Sequence, residues 1–377
     1  RAGRNGSLSA AFLIAGRNPL DQYFMHHPDL FFGAPVERAI IDLANPYILA
    51  GQVLCAAAEL PITRENIANF GPDACPAIEA LIKERLISRT SRGFVYSGSR
   101  RPHELVSMGS ISRDSFRVIA DGRTLETLDR NQAFREAHTG ALLLHQGDQY
   151  LVDSMDILHG IIRVSRTDVD YYTRPLKSVH IEVKGVLETT TMQDTPVSYG
   201  EVEVTEQYYA YKIIRKDALL GVEPLDLPAL SFPTRALWFS PPEGTCERIR
   251  SEGYDPCGGL HGAEHAFIAM MPMYVLCDRW DIGGVSMPVH AETGGPVVFV
   301  YDGYEGGIGL SEKAYHLFGD IAASALQLVE ECPCETGCPS CIFSPKCGND
   351  NQPLDKRATV LVLQSLCTTA VLQNGIS

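Results

Sequence analysis

Apolar residues change their period several times along this chain, and each change predicts a different kind of element. Near the start, an apolar run over Ala10–Ala15 reads as a strand, followed by a turn at Asn18-Pro19 and by Leu20, Tyr23 and Phe24 on helical spacing. Residues 1–45 therefore read as the end of a larger domain that cannot fold alone. From Pro46 the positions Ile48, Leu49, Val53, Leu54, Ala57 and Leu60 predict a helix closed by Pro61. Thr63 caps a second short helix carrying Ile67 and Phe70, and a third carries Cys75, Ile78, Leu81, Ile82 and Leu86. Thr90-Ser91-Arg92-Gly93 then turns Leu86-Ile87 back onto Phe94-Val95-Tyr96. Three helices followed by a hairpin is the order of a winged helix, placed at 46–102.

Over 103–176 the period becomes two. Phe116, Val118 and Ala120 alternate, Ala141–Leu144 and Tyr150–Val152 flank a Gln146-Gly147-Asp148 turn, and Ile161–Val164 follows, which predicts a small barrel-like β domain. Strands continue through His180–Val183 and the alternating Val202 and Val204 before a stretch rich in Pro (Pro224, Pro228, Pro233, Pro241, Pro242). From Gly258 the pattern is helical to about Met271, then a buried strand over Val297–Tyr301, a Gly-rich loop, and one long helix over Ser311–Glu331. Residues 177–377 thus form a mixed α/β domain, and the fold class is α+β with several domains.

Composition changes this picture little. Of the 377 residues 45% are apolar and 21% charged, which excludes a disordered polymer or a collagen-like repeat. No uninterrupted apolar stretch approaches the ~18 residues of a membrane helix, so no membrane partner is expected. The opening lacks Met, and the apolar run Leu8–Ala15 ends in Gly-Arg-Asn-Pro rather than a signal-cleavage site, so the chain reads as a fragment of something longer.

Charge does change it. The net charge of -14 argues against a uniformly basic nucleic-acid binder, yet Lys83–Arg117 contains eight basic residues against three acidic ones. Lys83, Arg85, Arg89, Arg92, Arg100 and Arg101 concentrate this excess on the winged helix and its exit. These residues are the candidate phosphate contacts.

Five of the eleven cysteines, Cys332, Cys334, Cys338, Cys341 and Cys347, crowd into sixteen residues. Tight clustering is the arrangement of a metal knuckle in a reducing compartment, so a cytoplasmic location is expected. Cys334, Cys338, Cys341 and Cys347 can converge on one tetrahedral Zn(II), and a set with Cys332 in place of Cys334 is also geometrically possible. Four sulfurs leave no open coordination position, which makes the zinc structural. The other six cysteines, scattered among apolar neighbours, read mostly as buried hydrophobes.

Three further motifs bear on chemistry. His261-Gly262-Ala263-Glu264-His265 has the spacing of inverted zinc proteases, but no third ligand follows on a later helix, and the histidines read as packed at the core edge. The Gly-rich turn Tyr301–Gly309 lacks the G-K-[ST] ending of a phosphate loop and reads as close packing of strand against helix. Arg1-Ala2-Gly3-Arg4 places two guanidinium groups three apart, a pattern suited to transferring phosphoryl oxygens.

With the strand after it, Pro19–Tyr23, His27-Pro28 and Phe31-Phe32, the Arg1–Arg4 motif resembles the end of the second RecA-like domain of superfamily 2 DNA helicases. Specifically, the chain resembles the MrfA-like group, which ends in an Mrf-like zinc-binding domain. Asp170–Thr173, His261–His265, Cys277-Asp278-Arg279, Asp281–Gly284, Tyr301–Tyr304, Gly306-Gly307, Cys347–Asn349 and Leu354–Lys356 carry the rest of the resemblance. It implies that Arg1 and Arg4 are the two arginines of the last helicase motif, the last of which reaches the ATP γ-phosphate across the RecA cleft; in the other register Ser7 takes the last arginine's place.

What the resemblance implies is the C-terminal part of an ATP-dependent DNA helicase moving 3′ to 5′ on single-stranded or forked DNA in repair. ATP and Mg(II) would bind between the upstream RecA-like domains. Neither G-x-x-x-x-G-K-[ST] nor D-E-x-H occurs here, so residues 1–377 alone are expected to be inactive as an ATPase. Tyr171 and Tyr172 would be stacking platforms for bases, against the plainer reading of strand core. A different reading, a stand-alone zinc-containing nucleic-acid-binding module, remains open at this point.

Overall fold

The computed structural model describes residues 9–33, 42, 45–99, 101–104, 106, 115–192, 194–216 and 218–367. Arg1, Arg4, Ser7 and Arg100 lie outside the described residues. The strand expected over Ala10–Ala15 is not formed: it has no ladder partner among the described residues, and Phe12, Leu13 and Ile14 are exposed. An extended segment without a neighbour leaves its backbone groups to water, so an apolar run alone does not make a strand. The turn and helix after it do form. Asn18 Oδ1 accepts from the Asp21 amide at 2.9 Å and Pro19 opens α1 (Pro19–His26), followed by α2 (Pro28–Gly33). Tyr23 enters the core of the C-terminal domain.

The winged helix is built as its pattern predicts. Asn45 caps α3 (Pro46–Glu59), which buries Leu49, Val53, Leu54 and Ala57, and a 3₁₀ turn at Ile67–Phe70 leads to α4 (Ala74–Lys83). The buried face of α4 is Ala74, Ala77, Ile78 and Leu81, one step round from the predicted face, so Cys75 and Ile82 are exposed. Strands β1 (Ile87–Thr90) and β2 (Gly93–Tyr96) pair antiparallel, and the Ile62 and Phe94 backbones exchange two hydrogen bonds of 2.9 Å. Gly93 permits this contact. It has φ 127°, and a Cβ there would sit 2.5 Å from the Ile62 carbonyl oxygen.

Strands β3 (Ser115–Ala120), β4 (Arg123–Asp129), β5 (Leu142–His145), β6 (Asp148–Asp156) and β7 (Ile161–Thr167) form one sheet in the order β4-β3-β7-β6-β5, with helix α5 (Arg130–Glu136) between β4 and β5. The order is open rather than a closed barrel. Its core is completed by α5, whose Ala133 and Phe134 are fully buried, instead of by a closing strand. Tyr208 and Leu230 from the next domain enter the same core.

The third body begins with a long hairpin, β8 (Tyr172–Met192) and β9 (Thr195–Arg215), so the expected boundary at 176 falls inside β8. With β10 (Ala218–Pro224), β11 (Leu230–Phe239), β12 (Ile282–Met287) and β13 (Val297–Asp302) it makes a six-stranded antiparallel sheet. Both faces of its centre are apolar. Leu237, Phe239, Val298 and Val300 face the helices, while Ala236, Trp238, Phe299 and Tyr301 line the other side, as alternation on a doubly covered sheet requires.

Helices α6 (Thr245–Ser251), α7 (Pro256–Met270), α8 (Leu310–His316), α9 (Phe318–Glu331) and α10 (Lys356–Leu366) complete the domain. The single helix expected over Ser311–Glu331 is two, turning at Leu317. That turn brings Tyr315 onto Tyr199 and Phe318 between Phe239 and Phe267, burying both rings. Of the six scattered cysteines only Cys246 is buried, while Cys55, Cys257, Cys277 and Cys367 are half-buried.

Candidate zinc centre and nucleic-acid interface

Helix α9 stops at Glu331 because Cys332 adopts an extended backbone (φ -68°, ψ 124°). Residues two apart in an extended segment present their side chains to the same side, and the Cys332 and Cys334 sulfurs lie 3.6 Å apart. Cys338 and Cys341 come from the knuckle that follows, where the Cys341 and Phe343 amides both donate to the Cys338 carbonyl and Gly337 holds φ 109°. Three further sulfur separations are 3.5 Å (Cys332–Cys338), 3.5 Å (Cys334–Cys341) and 3.8 Å (Cys338–Cys341), and all four sulfurs lie within 4.8 Å of one another. A tetrahedron with Zn–S of about 2.3 Å has edges of about 3.8 Å, so the four sulfurs fit one Zn(II). Lys356, nearly buried at the start of α10, donates to the carbonyls of Cys332 and Cys334 at 2.6 Å each.

The ligand set expected from spacing is corrected on one point: Cys347 does not join Cys334, Cys338 and Cys341, and Cys332 takes its place. Residues between Cys341 and Cys347 carry the chain away, so the Cys347 sulfur lies 3.3 Å from His261 Nε2 instead. His261 and His265, one turn apart on α7, are buried with ring centroids 4.3 Å apart. Each anchors Nδ1 on a backbone carbonyl, that of Pro353 at 2.8 Å and that of Ile342 at 2.7 Å. Burial pushes the imidazole of His261 below its ordinary range, and that of His265 down to about 3, with the neighbouring His261 adding to the effect.

These residues line a cavity of about 450 Å³ between the α5 side of the small β domain and the C-terminal sheet. Inside it, burial raises the Glu264 carboxyl to about 7 and lowers the Lys346 ammonium to about 7. Lys346 donates to the carbonyls of Arg279, at 2.6 Å, and Ile282. Glu206 behaves differently. Burial alone would raise its carboxyl, but Lys177 at 2.5 Å and the hydroxyls of Tyr301 and Tyr208 pull it below the ordinary value.

On the winged helix, Lys83, Arg85, Arg89, Arg92 and Arg101 are all exposed. Arg89 lies on β1 and Arg92 at the tip of the hairpin, where its amide donates to Thr90 Oγ1. Tyr172 opens β8 and is exposed, with the Arg174 guanidinium 6.0 Å from its ring, while Tyr171 is half-buried. The Gly-rich turn presents no free phosphate cradle at its helix start: Asp302 accepts from the amides of Ile308, Gly309, Leu310 and Ser311. Asn45 grips the same loop. Its Nδ2 donates to the carbonyls of Glu305, at 3.1 Å, and Gly307, while its Oδ1 caps α3.

Comparison with known families decides what this arrangement is. The MrfA Zn-binding domain matches residues 263–342, a span that takes in the four converging sulfurs and leaves Cys347 outside. The winged helix domain of the ATP-dependent helicase HRQ1 matches residues 41–111. The uncharacterized ATP-dependent helicase YprA of Bacillus subtilis is 33% identical over 350 residues, covering 91% of this chain and 46% of YprA. The chain belongs to the MrfA-like helicases.

As an MrfA-like chain it shares the fold of the crystallised DUF1998 helicase MrfA, with a TM-score of 0.60 at 28% identity over 93% of this chain and 48% of that one. MrfA has also been crystallised bound to DNA, and that structure matches at 31% identity with a TM-score of 0.50. The uncharacterized protein MJ1572.1 of Methanocaldococcus jannaschii is 36% identical over 110 residues, 98% of its own length and 28% of this chain. The MrfA-like chain thus spans less than half the length of the helicases it matches. No helix among the described residues is long and apolar enough to cross a membrane.

The sequence resemblance to this group is therefore upheld. Sequence reasoning missed the pairing of Cys347 with the α7 histidines and the role of Lys356. The first was legible in principle, since one sulfur of five is left over and two histidines at i and i+4 share a helix face.

Proposed function

We propose that this chain is the DNA-handling part of an ATP-dependent helicase that tracks 3′ to 5′ on single-stranded or forked DNA during repair. Its winged helix, with Lys83, Arg85, Arg89, Arg92, Arg100 and Arg101, holds phosphates near the fork, and Tyr171 and Tyr172 offer ring faces to bases. Arg1 and Arg4 would belong to the last helicase motif, with Arg4 reaching the γ-phosphate of ATP held with Mg(II) by upstream RecA-like domains. Cys332, Cys334, Cys338 and Cys341 would hold a structural Zn(II), a cross-link that ties the end of α9 to the knuckle and to α10. The observation that carries this reading is the presence, in one chain and in this order, of an exposed basic wing and four converging sulfurs, both within spans matched by helicase domains.

The test has two arms. In the full-length protein, ATP turnover should rise on addition of single-stranded DNA, and duplexes with a 3′ tail should be unwound while those with a 5′ tail are not. In the same protein Cys338→Ser should lose the zinc with an all-sulfur shell and the cooperative melting of this domain. No stimulation by DNA would remove the helicase reading, and a Cys338→Ser protein that keeps zinc with an all-sulfur shell would remove the metal assignment. A stand-alone binding module is the second reading, favoured by the match over nearly the whole of the short MJ1572.1. DNA binding without any DNA-stimulated ATP turnover would select it.

A further inference from the structure

The four cysteines of the knuckle account for one metal, and a second group of metal-binding side chains lies outside it. We infer that His261, His265 and Cys347 form a separate zinc site, with three protein ligands and a fourth position open to the neighbouring cavity. Their ligand atoms all lie within 4.8 Å of one another, and the Cys347 sulfur is 3.3 Å from His261 Nε2. Two nitrogens and a sulfur around Zn(II) stand about 3.5 Å apart, so only small adjustments are needed.

Several independent features prepare the three residues for this. Both imidazoles direct Nδ1 to a backbone carbonyl, at 2.8 and 2.7 Å, which puts the proton on Nδ1 and leaves the Nε2 lone pair free to ligate. The spacing on α7 puts both rings on one face. The Asn351 amide donates to the Cys347 sulfur at 3.2 Å and so fixes where that sulfur stands.

The loop that carries Cys347 is pinned from both sides. Asn351 exchanges hydrogen bonds with the Ser344 backbone at 2.7 and 3.1 Å, and Asp350 pairs with Lys212 at 2.5 Å and Arg174 at 3.5 Å. A loop so held needs no metal to order it, and a set of three ligands facing a cavity is the pattern of an exchangeable site rather than a closed one. Two nitrogens and one sulfur suit Zn(II) among the common divalent ions, whereas the oxygen-seeking Mg(II) and Ca(II) are disfavoured. Water from the cavity would take the fourth position.

Zinc content and X-ray absorption of the full-length protein, purified without chelator, test this directly. Two zinc per chain are expected, with an average shell of mixed nitrogen and sulfur, falling to one zinc with an all-sulfur shell in Cys347→Ser and in His261→Gln. The wild-type measurement stands even if a variant fails to fold. One zinc with only sulfur neighbours in the wild type would overturn the second site. One zinc bound by two nitrogens and one sulfur would instead retain it and remove the knuckle assignment, so the two failures are distinguishable. Rapid alkylation of Cys347 that zinc does not slow would show a free thiol beside an imidazole and also overturn the proposal.

Discussion

A carboxylate as buried as Glu206 survives in the interior only because Lys177 and two tyrosine hydroxyls surround it. Lys177→Met should therefore cost about 3–5 kcal/mol in urea unfolding, the range for stranding one member of a buried pair. The pH dependence follows from the lowered Glu206 value. Its contribution to stability is fully present above the unfolded glutamate value of about 4.3 and is lost as pH falls through the lower folded value. Glu206→Gln should thus flatten stability against pH below about 4.3 while leaving the slope near neutrality unchanged; an unaltered acid limb would show that the carboxylate contributes nothing there.

At this scale the sequence was informative about chemistry and less so about partners. Spacing marked the cysteine cluster as a metal knuckle, but spacing counts residues along the chain and not the direction of side chains. Cys332 joins the cluster of sulfurs because the backbone is extended after α9, a property of the helix end that the count cannot express. Glu206 and Lys177, 29 residues apart, meet across the β8–β9 hairpin, which no local pattern foretold.

Among elements, α7 and α10 pack closely because α7 carries glycine where α10 touches it. A Cβ at Gly259 would stand 2.7 Å from Ala358 Cβ, and one at Gly262 would stand 2.0 Å from Thr359 Oγ1. Gly259→Val should destabilise the C-terminal domain by about 1–3 kcal/mol through overpacking, read as a lower urea midpoint at unchanged slope. The winged helix makes a different kind of prediction. Replacing Arg89 and Arg92 together by Ala should weaken DNA binding by a similar factor for all sequences, and the salt dependence should become shallower by about one unit of slope for each phosphate no longer neutralised. A change confined to one DNA sequence would contradict a phosphate role.

Helix and hairpin periodicity made the winged helix readable almost whole, since its interactions are local. Elements that depend on distant partners were not. The Ala10–Ala15 run lacks a sheet neighbour, α5 replaces the strand that a barrel would need, and the break at Leu317 serves rings on β9, β11 and α7.

Across the whole molecule, the three bodies share residues at their borders. Tyr23 of α1 joins the C-terminal core and hydrogen-bonds Gln327 at 2.9 Å, Tyr208 of β9 enters the small β domain, and the Arg135 guanidinium lies 4.6 Å from the Trp280 ring. Domain limits drawn from the period of apolar residues do not express these exchanges, because buried surface, not sequence distance, decides where a core ends.

One of the connections is a single side chain. Asn45, 1% exposed, holds the first turn of α3 with its oxygen and the 305–307 backbone with its nitrogen. Asn45→Asp keeps the oxygen that starts the helix but turns an acceptor toward two carbonyls, at a cost of about 1–3 kcal/mol. Calorimetry should then resolve separate melting of the wing and the C-terminal body where the parent melts as one. With the two bodies tied in this way, the amide at the start of α3 fixes where the basic wing stands against the loop after β13.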